Sequence, residues 1–287
     1  LPSTRALAAQ IKTGTLWADE AFPRYPPPAY RGRLFEIPYS LGHTPFVGRD
    51  REYAWLISRC QEARPGLVLV EGEAGVGKTR LIEEVLGYAE KKHCRVLRAR
   101  LSPGGTPLPY APLIGALRPL WHREEVDELT PAHRSVLEAF FTPPARPPSA
   151  DARRGMGPSP HAIEDAVAHW LEARLPPETL LFVDDAPRLD GASLGLVVRL
   201  SRVLTVIAAG RTEALPTDHP LRAALHTLAS EGRADLLRLS RLANPAVEAL
   251  IRRLARRSMN ALYTELMART AGNPLFAIEL VRDWIER

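Results

Sequence analysis

The chain has 287 residues, is 45% hydrophobic and carries a formal net charge of +5 at pH 7, enough for one large domain or one plus a smaller appendage. Its longest apolar runs, Leu180 to Val183 and Val203 to Ala209, fall far short of the roughly 18 residues that a membrane span needs, so no membrane role is expected. Two cysteines, Cys60 and Cys94, give no disulfide framework and no basic-then-apolar leader opens the sequence, which predicts a cytoplasmic setting with buried free thiols. The positive charge is spread as arginine with acids interleaved and without a DNA- or RNA-reading pattern, so DNA contact is expected through domains outside these residues.

Residues 4 to 13, "TRALAAQIKT", are helix-prone and end at Gly14, and "FPRYPPPAYRGR" then places four prolines in an extended linker. Residues 1–20 are therefore expected to close an upstream helical domain and 21–43 to be a Pro-rich linker; the absence of an initiator Met fits a piece of a longer chain. "GRDREYAWLISRCQEA" predicts an amphipathic helix capped by Asp50, with Tyr53, Leu56, Ile57 and Cys60 on one face. "GLVLVEG" is a short apolar run between glycines, which predicts a buried strand. A helix follows, with Leu81, Ile82, Val85, Leu86 and Ala89 at helical spacing.

Further short apolar runs, "CRVLRARL", "TLLFVDD", "VLTVIAAG" and "ADLLRLS", alternate with helical stretches such as 161–174 and 192–203. This alternation predicts an α/β fold, a parallel sheet with helices on both faces. Residues 142–160, rich in Pro, Gly and small polar residues, read as an insertion loop. After residue 243 only helical patterns remain. The expected boundaries are 44–243 for the α/β domain and 244–287 for a small all-helical subdomain.

Among 38 basic Lys and Arg residues only four are lysines, Lys12, Lys78, Lys91 and Lys92, and one of these sits in "EGEAGVGKTR", residues 71–80. The stretch fits G-x-x-x-x-G-K-[ST] at Gly72, Gly77, Lys78 and Thr79, flanked by the expected strand and helix. Glycines let successive N–H groups curl toward phosphate oxygens, and the next helix presents its positive end to them. A compact ammonium reaches the β and γ phosphates where a broad guanidinium would crowd the loop. Gly72, Gly75, Val76, Gly77, Lys78, Thr79 and Arg80 are thus the expected phosphate-side residues, with the Thr79 hydroxyl on Mg2+. The bland alternative is a glycine turn with an exposed lysine.

"LLFVDD" ends in Asp184, expected near the metal, and Asp185, a candidate base for the attacking water. By itself, a pair of acids after a strand is usually a solvated turn. "VLTVIAAG" delivers Arg211 to the ligand-binding edge of an open sheet; if its strand lies between the other two, Arg211 points toward the γ phosphate. Otherwise Arg211 is a surface charge.

Five further stretches occur in order: "FVGRDREYAWL", "LPYAPLIGAL", "DDAPRLDGASLGLV", "HPLRAALHTLASEGRADLLRLSRL" and "GNPLFAIELV". With the glycine loop they resemble the STAND class of P-loop ATPases and, within it, the ATPase module of large bacterial transcriptional regulators of the SARP and LuxR types. The resemblance covers nearly the whole chain. It implies a P-loop NTPase sheet followed by a helical lid, an adenine base held around Val47, Gly48 and Arg49, and Gly272 and Pro274 on the lid touching the nucleotide. "LPSTRALAAQIKTGTL" is similar to the end of the helical activation domain that precedes this module.

The implied ligands are ATP or ADP with Mg2+, and the implied partners are the upstream and downstream domains of the same polypeptide, with self-association on activation. Two positions depart from the family pattern: Arg188 stands where an aromatic is usual, and Gly210 where a bulkier residue is common. Read from the residues alone, Pro274 also suits the start of a helix, since proline is favoured in the first turn, and Tyr110 and Trp121 fit a core. The implied function is a slowly hydrolysing nucleotide switch. An oligomeric AAA-type machine, a scaffold with a vestigial pocket and, more distantly, a small-molecule kinase are the alternatives.

Overall fold

The computed structural model describes residues 45–101, 109–121, 129–142, 158–176, 178–255 and 269–286. The expected upstream helical domain, the Pro-rich linker and most of the 142–160 insertion lie outside the described residues. The chain divides into two compact units, one spanning Asp50–Ser240 and the other holding 45–49 together with the described residues after 240.

The larger unit starts with α1 (Asp50–Gln61) and continues with β1 (Gly66–Gly72), α2 (Lys78–Lys91), β2 (Val96–Ala99) and α3 (Ala111–Leu117). Then come α4 (Pro131–Phe141), α5 (Pro160–Arg174), β3 (Leu180–Val183), α6 (Gly191–Leu200), β4 (Thr205–Arg211), α7 (Pro220–Ser230) and β5 (Ala234–Leu239). The five strands form one sheet in the order β2-β3-β4-β1-β5, every neighbouring pair parallel. Every residue of β1 and β3 is buried, as are all of β4 up to Gly210. Burial of successive residues, which point to opposite faces, means that both faces of the sheet are covered. This is the P-loop NTPase-like α/β architecture that the alternating pattern predicts.

Local chemistry sets the helix ends. Thr130, Ser159 and Asp190 each accept a hydrogen bond from a first-turn N–H, at His133, Ala162 and Ser193, and Pro131 and Pro160 open their helices where no donor is needed. Helix α2 buries the five apolar residues its spacing predicts, and Lys78 as well. Tyr110 is a core residue, and Trp121 stacks on Phe141 at 4.8 Å beside Trp170. Cys60 and Cys94 are free and only partly buried; desolvation pushes the Cys60 thiol up to about 12, which makes it a poor nucleophile.

The smaller unit contains α8 (Asn244–Ala255) and α9 (Pro274–Glu286). Leu242, Val247, Leu250, Ile251, Ala277 and Val281 form its core, and Val47 packs against them.

One position in α1 escaped its apolar pattern. Arg59 is buried, and its Nε donates to Asp235 Oδ2 on β5 at 2.8 Å, with both side chains under a tenth exposed. Removing one partner of a buried pair strands the other charge, at a cost of about 3–5 kcal/mol. Asp235→Ala is therefore expected to lower unfolding free energy by about that amount, whereas Arg59→Met with Asp235→Leu costs much less. Urea denaturation of the natural protein and the two variants checks this.

Candidate functional site

The C-terminal edge of the sheet gathers the phosphate-side residues. Strand β1 ends at Gly72, where an added Cβ would stand 2.7 Å from Leu239 O and 2.9 Å from Val76 Cγ1, so the loop turns away under a steric limit only glycine meets. Gly75 and Gly77 both have left-handed backbones, φ 77° and 98°, as a cradle of inward N–H groups requires. Gly77 opens α2 without a side-chain cap, and no acid lies in the helix's first turn, so its positive end is not neutralised locally. Arg80 pairs outward with Glu84 at 2.5 Å.

Lys78 is 8% exposed, and its Nζ donates to Gly72 O at 2.9 Å and Glu73 O at 2.8 Å, lacing the loop across itself. No carboxylate among the described residues forms an ion pair with it. Burial lowers the ammonium's pKa; Glu213 is the strongest charge opposing that shift, Arg211 reinforces it, and Asp184 and Asp185 oppose it. All four are thus electrostatic neighbours of the lysine.

Strand β4 lies between β3 and β1, the arrangement on which the reading of Arg211 depended. Arg211 is the register partner of Gly72 and is exposed beyond the sheet edge. On the other side, Thr79 Oγ1 donates to Asp184 Oδ1 at 3.3 Å, a distance at the long end for a hydrogen bond. Asp185 adopts a left-handed backbone, φ 50°; its N–H donates to Asp184 Oδ1 at 3.0 Å, and its carboxylate faces Arg188 at 3.4 Å. Arg188, which replaces the usual aromatic, therefore holds the second acid of the pair.

These donors fit a polyphosphate with a hard divalent cation: main-chain N–H groups and a buried ammonium for anionic oxygens, and a hydroxyl beside a carboxylate for an oxygen-seeking metal. The other expected residues belong to the smaller unit. Gly48, φ 66°, lies so close to α8 that a Cβ would overlap Ala246 Cβ, and Arg49 is buried. Gly272, φ 81°, gives its carbonyl to Leu242 N at 2.8 Å, and Pro274 is the first residue of α9, behind Asn273, whose Oδ1 accepts from Leu275 N at 3.0 Å.

Glu213 and Glu71 were missed in the sequence. Glu213 is only two residues past Arg211, in the turn Thr212–Ala214, where nothing in its spacing marks it. Glu71 did leave a signal, a carboxylate inside an apolar strand, which must have a partner when buried. It is fully buried and pairs with Arg222 of α7 at 2.8 Å. Asp190 and Ser193 build a structural joint: Asp190 caps α6, and Ser193 Oγ accepts from Tyr110 N at 3.0 Å.

Sheet order and glycine loop together define a P-loop NTPase. Residues 45–210, more than half of the chain, match the AAA ATPase domain family, and the protein belongs to it. No curated protein matches the sequence significantly. Among solved structures, similar folds include a STAND protein with a tetratricopeptide repeat sensor from Pyrococcus horikoshii, at 16% identity, TM-score 0.48, 80% of this chain and 28% of that one. The Thermotoga maritima RuvB Holliday junction branch migration motor aligns at 16% identity, TM-score 0.42, 83% and 61%. Domain III of the Thermotoga maritima replication initiation protein DnaA aligns at 11% identity, TM-score 0.45, 85% and 83%. The chain thus spans less than two thirds of the first two. No helix among the described residues is long and apolar enough to cross a membrane.

Burial raises the Asp184 carboxyl above its ordinary value of 3.8, against the hydrogen bonds from Asp185 N–H and Thr79 that lower it. The folded protein therefore holds this proton more tightly than the unfolded chain, so ionised Asp184 subtracts stability above its folded pKa and nothing below 3.8. Asp184→Asn is expected to raise Tm at pH 7 without nucleotide, a gain that disappears as pH falls toward 3.8. Thermal denaturation across a pH series checks it.

Proposed function

We propose that the chain is an ATP-binding switch module that hydrolyses slowly, within a multidomain transcriptional regulator. One observation carries the nucleotide reading: the buried Lys78 ammonium, held by two main-chain carbonyls, lies at the edge where Gly72, Arg211 and the Thr79–Asp184 pair meet. An anion replacing those carbonyls would compensate a charge that has no carboxylate ion-pair partner among the described residues. The regulatory context rests on the motif resemblance alone.

In this reading Lys78 and the N–H groups of the loop bind the β and γ phosphates, and Thr79 and Asp184 hold Mg2+. Mg2+, when bound, neutralises charge on the phosphate oxygens. Arg211 contacts the γ phosphate from the neighbouring strand and so distinguishes ATP from ADP. Asp185 takes a proton from the attacking water, with its carboxylate held by Arg188 until then. Roles for Val47, Gly48 and Arg49 at the base and for Pro274 at the nucleotide rest on the motif resemblance alone. The upstream and downstream domains of the same polypeptide read the bound nucleotide, DNA is contacted through domains outside these residues, and the protein self-associates on activation.

The test is calorimetry with ATP and Mg2+, together with identification of any nucleotide released on denaturing the purified protein. Binding by the natural chain and its loss in Lys78→Ala are expected; no adenine nucleotide and no heat would overturn the reading. Asp185→Asn should bind ATP with near-natural affinity and lose hydrolysis by about 100-fold or more, as followed by phosphate release. Fast turnover that climbs with protein concentration would favour an oligomeric machine instead.

A further inference from the structure

Three segments that the nucleotide site depends on are tied to a single turn of helix. Arg222, in the first turn of α7, points its guanidinium into the protein with its side chain 10% exposed. Its Nη2 donates to Glu71 Oε1 at 2.8 Å, one residue before the glycine loop, and its Nε donates to Leu215 O at 2.7 Å, at the end of the turn that carries Arg211 and Glu213. His219, which caps the same helix, brings in the third segment. Its Nδ1 accepts from Leu221 N at 3.1 Å, so the proton lies on Nε2, which donates to Pro187 O at 3.1 Å in the turn after Asp184 and Asp185.

Packing closes the same arrangement. Leu215 is buried over Gly210, where an added Cβ would stand 2.8 Å from Leu215 Cδ1 and 3.2 Å from Pro187 Cγ. Glu71 and Gly210 are register partners across β1 and β4, and Arg238 of β5 is the register partner of Glu71 on its other side. Arg238 Nε reaches Glu71 Oε2 at 3.5 Å. A fully buried carboxylate is thus fixed from two elements, and the firmer tie comes from α7.

We infer that Arg222, with His219 beside it, is a positioning residue for nucleotide discrimination: it holds the Arg211 turn at a fixed distance from the root of the phosphate loop. The inference rests on the switch reading above and names how that site tells ATP from ADP. Arg211 is exposed and lies beyond the last residue of β4 that the sheet buries, so the strand alone does not fix its side chain. Leu215 O is the acceptor through which the far end of its turn is anchored. A guanidinium suits this task because its planar fork serves a carboxylate and a carbonyl in two directions at once; a lysine in its place has the charge without the fork.

Two measurements test this. The first is amide hydrogen exchange on nucleotide-free protein: Arg222→Lys is expected to speed exchange at residues 212–215, with β3 unchanged. The second is the ratio of ADP to ATPγS dissociation constants with Mg2+. Arg222→Lys should bring this ratio toward one by about fivefold or more, with ADP affinity nearly unchanged, and should add nothing when combined with Arg211→Ala. If Arg222→Lys does not fold, His219→Asn retains a capping side chain, cannot reach Pro187 O, and is expected to shift the ratio in the same direction. An unchanged ratio in a folded variant that binds both nucleotides, or full additivity with Arg211→Ala, overturns the inference. Failure of the natural protein to bind either nucleotide defeats the switch reading instead, and unchanged exchange at 212–215 then overturns the tether too.

Discussion

Strand β1 must satisfy two demands that oppose each other: it is buried along its whole length between β4 and β5, and it ends in a loop shaped for an anion. A buried strand excludes water from the groups at its end, and charge there is expensive unless it is partnered. Two buried charged side chains nevertheless lie seven residues apart, Glu71 and Lys78, and the fold handles them differently. Glu71 receives an arginine from α7. Among the described residues Lys78 receives carbonyl oxygens alone, which solvate an ammonium without cancelling it. The asymmetry separates a group that is finished within the protein from one that the proposed nucleotide reading assigns to a ligand.

That distinction also explains the stability cost at Asp184. A carboxyl whose burial raises its pKa is held against the preference of the fold, and the Asp185 N–H and the Thr79 hydroxyl offset only part of the penalty. Lys78 shows the mirror image, a cation whose burial lowers its pKa. The two lie on opposite sides of β4's end, and each makes the other's ionised form easier to keep. A site in which both desolvated charges are unpaired by side chains of opposite sign spends stability on readiness, while Arg59 with Asp235 shows what this same chain does with buried charge when only the fold is at stake.

Most of the sheet was legible because its signals are local. Short apolar runs mark β1, β3 and β4, the first of them bounded by glycines, and the apolar spacing of α2 names its buried face. The glycine loop was legible for the same reason, since its residues are contiguous. What the sequence could not show was pairing over distance. Arg59 in α1 meets Asp235 on β5, and Arg222 meets Glu71, separations of 176 and 151 residues that leave no periodicity. Arginine is so abundant here that composition could not single out either one. Strand order was open in the same way: that β4 enters the sheet between β3 and β1 follows from long-range pairing, and the placement of Arg211 follows from that order.

The two departures from the pattern of the family resembled become intelligible once their neighbours at the sheet edge are known. Gly210, where a bulkier residue is common in the family resembled, places no side chain just before Arg211. The space it vacates is taken by Leu215 and Pro187, which meet over it, so support arrives from the turns after β4 and β3 and not from the strand itself. Arg188 follows the same logic. Where an aromatic would pack, a guanidinium reaches back three residues to the Asp185 carboxylate, which a left-handed backbone has turned out of the strand. At Gly210 the restraint comes from the turns after β4 and β3, and at Arg188 from a side chain three residues away. The edge of this sheet is therefore set by how α7 seats against the turns after β3 and β4, and a change that leaves every strand intact can still move the groups proposed to meet the phosphates.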